Sequence, residues 1–185
     1  MLDIGTIVMA YLTMVVQFSG VVVPVIVHLL SSGMNIYHVT ALWLASHTTA
    51  VTIAYFATSF IARRIERISS YLEGRIQEAE AYIGTLGLIM GLVLFNFSVW
   101  IYIAVPLMVL MGINWKTIYL TVTTGNVLYY IVMVSTIFWV YTLFSSVLIT
   151  IVLTLAIAFA ASIIVYQIFK RINGKRVPEV EKVQA

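Results

Sequence analysis

Residues 82–111 read YIGTLGLIMGLVLFNFSVWIYIAVPLMVLM, and the fold turns on this stretch. It holds no Asp, Glu, Lys or Arg. Run as one straight helix, it would reach roughly 45 Å at the α-helical rise, well beyond the roughly 30 Å hydrocarbon core of a bilayer. Such a segment has to tilt, kink or fold back. Asn96-Phe97-Ser98 sits near its middle and Pro106 follows, which predicts two half-helices meeting at Asn96–Ser98 in a re-entrant hairpin. Broken backbone of that kind is tolerated only where it is buried in protein or lines a cavity.

Residues 2–30 share this anatomy, with Ser19-Gly20 in the middle and Pro24 beyond. Laid over the first stretch without gaps, at an offset of 79, Phe18-Ser19 falls on Phe97-Ser98 and Gly33-Met34-Asn35 on Gly112-Ile113-Asn114. Ser46-His47 falls on Gly125-Asn126. The pattern predicts an internal repeat in which each unit is a re-entrant hairpin plus one crossing helix. With one crossing per unit, the second unit is upside down relative to the first, an inverted repeat of the kind found in transporters.

The rest of the chain fits a membrane setting. Of its 185 residues, 62% are hydrophobic and only 9% charged, too few charges to cover a soluble domain. No Asp, Glu, Lys or Arg occurs between Asp3 and Arg63, from Ala81 to Trp115, or from Thr117 to Phe169. The reading is an all-α integral membrane protein, multi-pass in the cell membrane, with hydrophobic segments at 2–30, 39–62, 82–111, 117–143 and 147–169. Residues 1–169 form one membrane domain: a first repeat (1–62), a cytoplasmic amphipathic helix (63–80), a second repeat (82–143) and an extra C-terminal transmembrane helix (147–169). A polar cytoplasmic tail, 170–185, follows, with Gly174 and Pro178 to stop the last helix.

Topology rests on Lys and Arg, which mark cytoplasmic loops. Arg63, Arg64, Arg67 and Arg75 form one cluster, and Lys170, Arg171, Lys175 and Arg176 another. Both become cytoplasmic if 82–111 enters and returns on one side. The N-terminus, with Asp3 and no basic residue, is then external, and it lacks the basic region of a secretory signal. In the charged stretch, Ile65, Ile68, Leu72, Ile76 and Ala79 recur at helical spacing. That pattern suits a helix lying on a membrane surface or packing on a partner, or a solvated helical linker.

Chemistry is sparse. There is no cysteine, so disulfides and thiolate chemistry are excluded. No charged residue lies in any hydrophobic segment, which argues against an ion pump or charge relay. The intramembrane polar set is Gln17, His28, His47, Asn96, Asn126 and Gln167, with Ser and Thr. His28 and His47 would make a proton-sensitive site if the fold brought them together; otherwise each is a neutral imidazole bonded to a neighbouring helix. Two histidines without a carboxylate or thiol are a poor metal site. Asn96 and Asn126 either meet a lipid headgroup or hold helices together. Gly84, Gly87 and Gly91 read as a face for close helix contact, and the 24 aromatic residues as interface anchors and core. With no nucleophile set, phosphate loop or metal motif, the expectation is a protein that is not an enzyme, holds no cofactor and binds no nucleic acid.

Glu78-Ala79-Glu80-Ala81-Tyr82-Ile83-Gly84, then Asn96-Phe97, Pro106 and Gly125-Asn126, resembles in order and spacing the second half of the DedA superfamily, also called the VTT or SNARE-associated family. The resemblance covers residues 21–144, and the family's core is similar to that of small multidrug export proteins. It implies movement of lipids across the bilayer, either scrambling of phospholipids or return of a polyprenyl-phosphate carrier. Two departures bear on mechanism. No carboxylate occurs between Asp3 and Glu66, where the family has an acidic residue in its first hairpin. The family's two arginines correspond to Asn96 and to a position near Tyr102. The candidate substrate-binding residues are Ser19, Pro24, His28, His47, Asn96, Ser98, Tyr102, Pro106, Gly125 and Asn126. The partners expected are membrane lipids, with membrane proteins or further copies of the chain. A different class of function is an accessory subunit of a larger membrane complex; export of small hydrophobic molecules is a third reading.

Overall fold

The structure, a computed structural model, describes residues 3–62 and 66–174. Arg63, Arg64 and Ile65 of the charged stretch, and Lys175, Arg176 and Pro178 of the tail, lie outside them. Every regular element among the described residues is a helix: α1 (Ile4–Val15), α2 (Ser19–Ser31), α3 (Ile36–Ala62), α4 (Glu66–Ser98), α5 (Ile101–Leu110), α6 (Trp115–Phe144) and α7 (Val147–Gly174).

The helix ends follow from local chemistry. Asp3 caps α1, its carboxylate accepting from the Thr6 N–H at 2.7 Å and the Thr6 hydroxyl at 3.2 Å. Those bonds, the backbone one first, hold the Asp3 carboxyl below its ordinary value. Folded-state stability from this cap is therefore present above the unfolded carboxylate range and lost only in acid. Asn114 caps α6 in the same manner through Thr117 N–H at 3.0 Å. Inside α4 the chain kinks at Gly84, with φ 73° and ψ 162°, a conformation that glycine adopts without steric cost. The Gly84, Gly87 and Gly91 face is thus corrected at its first member: Gly84 breaks a helix rather than lining its surface, and it separates the charged half of α4 from the apolar half.

The turns after α2 and α5 match bond for bond. At the first, Ser32 N–H reaches His28 O, Gly33 reaches Leu30 O and Met34 reaches Leu29 O. At the second, Met111 reaches Leu107 O, Gly112 reaches Val109 O and Ile113 reaches Met108 O. Gly33 and Gly112 carry the positive φ, 84° and 71°, as the αL helix stop requires. All these pairs lie 79 residues apart. The starts of α2 and α5 do not. Phe18 precedes α2 as Trp100 precedes α5, and Pro24 is the sixth residue of α2 as Pro106 is of α5, an offset of 82. The helices have 13 and 10 residues, so the ungapped overlay of Phe18-Ser19 on Phe97-Ser98 pairs residues that play different parts.

α3 and α6 run antiparallel. The Thr40 hydroxyl meets the Tyr130 hydroxyl at 2.9 Å, Thr48 meets Tyr119 at 3.4 Å, and the Tyr55 and Trp115 rings lie 4.4 Å apart. Two apolar clusters lie along this pair. One surrounds α2, with Ala10 and Met14 of α1, Trp43 of α3 and Met133 of α6. The other surrounds α5, with Ala50 and Val51 of α3, Leu92 of α4 and Ile118 of α6. The apolar half of α4 crosses α6 at Gly125, where an added Cβ would meet Val93 O at 2.6 Å and Asn96 Cβ at 2.9 Å. α6 and the 147–165 part of α7 are long and apolar enough to cross a membrane. Their outer faces stay uncovered, with Trp139 63%, Leu148 72% and Phe159 71% exposed.

Two glycines give opposite expectations. Gly125→Ala forces the Val93 carbonyl away, a cost of about 1–3 kcal/mol for overpacking. Gly74→Ala meets nothing within 4 Å and gains roughly 0.5–1 kcal/mol of helix propensity. Thermal unfolding in detergent micelles checks both: Tm falls for the first and holds or rises for the second. An unchanged Tm for Gly125→Ala refutes the close crossing.

Candidate functional site

An α-helix leaves its last carbonyls without partners within the helix. α1 ends this way at Val15, with Gln17 in the left-handed region at φ 53°. Each freed carbonyl has a donor. Met14 O accepts from the Gln17 backbone N–H at 2.9 Å and from its Nε2 at 2.7 Å. Val15 O accepts from the Tyr102 hydroxyl at 2.9 Å. Val16 O accepts from the Trp100 indole N–H at 2.8 Å. Tyr102 and Trp100 belong to the other break, between α4 and α5. The two breaks are therefore joined directly, and ring contacts of Trp100 with Phe18 (6.2 Å) and Tyr102 (5.3 Å) reinforce the joint.

Beside this joint lies a cavity of about 230 Å³. Gln17, Phe18 and Ser19 come from the first break; Asn96, Phe97, Val99 and Trp100 from the second. α6 adds Asn126 and Tyr129, and α7 adds Ala158, Phe159 and Ser162. Phe97 packs edge-on to Tyr129 at 5.7 Å, and the Tyr129 phenol interacts with the Ser19 side chain. Asn96 is 1% exposed. Its Nδ2 donates to Leu92 O at 2.7 Å and approaches the Met108 sulfur at 3.5 Å, while its Oδ1 has no partner. Asn126 Nδ2 donates to Val122 O at 3.0 Å, and the Ser162 hydroxyl to Ala158 O at 3.0 Å. Neither α2 nor α5 has a side-chain cap at its start, so the first N–H groups of both helices remain donors at the breaks.

Of the ten candidate residues, Ser19, Asn96 and Asn126 line this cavity. Gly125 stands behind Asn96 at the helix crossing, and Tyr102 ties the breaks together. Ser98 closes α4. Pro24 and Pro106 lie inside α2 and α5 and remove one backbone N–H from each. The histidine pairing is corrected. His28 is exposed near the end of α2, on the face opposite buried Val23, Ile26 and Val27. His47 is fully buried, stacked on Trp43 at 5.2 Å, and both its ring nitrogens lack partners. No hydrogen bond joins the two.

Sequence reasoning missed Phe18, Trp100, Tyr129, Phe159 and Ser162 as site residues and named Gln17 only within the intramembrane polar set. The available signal was on α7: Thr154, Ala158 and Ser162 place small or hydroxyl residues four apart on one helix face. A larger cavity of about 410 Å³ lies elsewhere, between α4 and the α5–α6 turn, where Thr85 donates to Glu80 at 2.7 Å.

Trp100→Phe and Tyr102→Phe keep an aromatic ring and remove one donor each. Each leaves a carbonyl of the α1 end unpaired, for about 1–3 kcal/mol, read as a lowered Tm in micelles. The double variant is expected to depart from additivity, because both donors serve one helix end. Single variants as stable as the parent contradict the joint.

No family model, curated protein or solved structure matches the chain, so the function of this site rests on its own geometry.

Proposed function

We propose that the chain is a multi-pass membrane protein that moves lipids between the two leaflets, in the manner that the DedA resemblance implies. The observation that carries the reading is the pair of joined helix breaks beside an uncharged cavity.

Helix lengths support the topology. α1, α2 and α5, with 12, 13 and 10 residues, reach roughly 15–20 Å, short of the roughly 30 Å core. α3, α6 and α7, with 27, 30 and 28 residues, reach roughly 40–45 Å. Thus α3, α6 and α7 cross, while α1–α2 and the apolar half of α4 with α5 enter and return. The matched glycine turns and the antiparallel α3 and α6 favour an inverted repeat, with α7 added. On this topology Arg67, Arg75, Lys116, Lys170 and Arg171 all fall on one side and Asp3 on the other. Positive residues accumulate on the cytoplasmic side, so that side is cytoplasmic. The exposed apolar faces of α6 and α7 then meet lipid.

Both hairpin tips sit at mid-depth, where hydrogen-bonding groups otherwise have no partner. A polar headgroup passing between leaflets needs such groups at that depth. The cavity wall holds no carboxylate, thiol or imidazole to act as acid, base or nucleophile, which favours transport over bond-making.

Because the chain lacks cysteine, single-cysteine variants report topology cleanly. Ser32→Cys and Ser146→Cys are expected to react with a membrane-impermeant maleimide from outside intact cells, and Gln77→Cys only after lysis. Labelling of Ser32→Cys and Gln77→Cys from one side sinks the topology. Function is read in vesicles that carry purified protein and acyl-labelled fluorescent lipid. An added impermeant quencher is expected to reach both leaflets with the protein and only the outer one without it. Equal protection for every lipid tested defeats the reading.

A further inference from the structure

We propose that the cavity between the helix breaks receives the uncharged, polyhydroxylated headgroup of a lipid: one sugar ring on an apolar anchor. The assignment rests on the lipid-moving function and names the headgroup class it serves.

The polar groups of the wall are carboxamides and hydroxyls, from Gln17, Ser19, Asn96, Asn126, Tyr129 and Ser162. No Lys or Arg lines the cavity, so an ionised phosphate would shed its water without gaining a counter-charge. Asn96 makes the stronger argument. Its Oδ1 is an acceptor, buried and unpartnered, and a buried acceptor left unmet is costly. It needs a donor. An ionised phosphodiester and a quaternary ammonium have none to give; a hydroxyl does. The Ser19, Tyr129 and Ser162 hydroxyls of the wall can donate or accept in turn, so the fitting ligand both gives and takes hydrogen bonds at several points. A sugar ring has that property.

Shape agrees with this. Trp100, Phe18, Phe97 and Tyr129 present aromatic surface to the cavity, suited to the C–H faces of a ring, with a few placed polar groups to orient it. A volume of about 230 Å³ equals roughly eight waters of the liquid, room for one ring. The source of the sugar is set by the rim. Phe159 and Phe18 line the cavity yet are 71% and 53% exposed, on surface that the proposed topology turns toward hydrocarbon. A ring still tethered to acyl chains can enter there.

The test compares acyl-labelled lipids with the same chains in vesicles of purified full-length protein: monoglucosyl diacylglycerol, phosphatidylcholine and phosphatidylglycerol. The glucosyl lipid is expected to cross about tenfold faster than either phospholipid, the equivalent of one buried hydrogen bond. Asn96→Leu and Asn126→Leu are expected to bring that ratio toward one. Phospholipids moving as fast as the glucosyl lipid overturn the headgroup assignment and leave lipid movement standing. No movement of any lipid defeats both. Entry of radiolabelled free glucose without movement of the glucosyl lipid overturns the headgroup as the source. Should Asn96→Leu fail to fold, the comparison among headgroups with the unaltered protein still decides the matter.

Discussion

The architecture depends on what happens to the carbonyls at the end of α1. A helix cannot stop in apolar surroundings unless its last acceptors are met. Here the backbone meets only some of them, Thr13 O and Met14 O, before α2 starts at Ser19. Gln17, Tyr102 and Trp100 supply the missing donors, and two of those come from the far break. The first break therefore needs the second. Its location also fixes the cavity, because Gln17 and Phe18 of the first break and Val99 and Trp100 of the second wall it, with the helix ends beside them. Gly125 lets the apolar half of α4 lie close enough to α6 to complete that wall.

Much of this was legible in composition and spacing, and some was not. The helical character is written in long charge-free runs. The interruption of 2–30 and of 82–111 is written in Ser19-Gly20, Asn96-Ser98 and the two prolines, although the breaks fall at 16–18 and 99–100, a few residues from those marks. Polar residues show where a helix can break; the break itself falls where donors reach the carbonyls. Trp100 illustrates the limit. An indole in an apolar run reads as core or interface, and only the neighbouring helix end shows that its N–H is needed. Asn96 and Gly125, noticed separately, belong to one crossing. The two histidines, noticed together, share no bond: one is exposed on α2 and the other buried on α3. α7 looked like an appendage, yet it packs on α2, α4 and α6 and closes one wall of the cavity.

The two halves are alike in their turns and unlike in their packing. α5 leans on α3, the long helix of the other half, whereas α2 leans on α7. The added helix takes the place that strict two-fold arrangement would give to α6. The three-residue difference between α2 and α5 is the same inequality seen in sequence. The cavity reflects that inequality: it is walled by α6 and α7 on one flank and by the joined breaks on the other.

The long runs without Asp, Glu, Lys or Arg have an electrical meaning. A charge carried across the full membrane potential does work of about 2.3 kcal/mol per 100 mV. The helices and breaks around the cavity carry no Asp, Glu, Lys or Arg within 4–62, 81–115 or 117–169. In the proposed membrane setting any rearrangement of them is nearly blind to voltage, and the uncharged headgroup proposed for the cavity adds nothing for the field to pull. For the lipid movement proposed above, this leaves the difference in lipid abundance between leaflets as the driving force, with no draw on the cell's electrical energy.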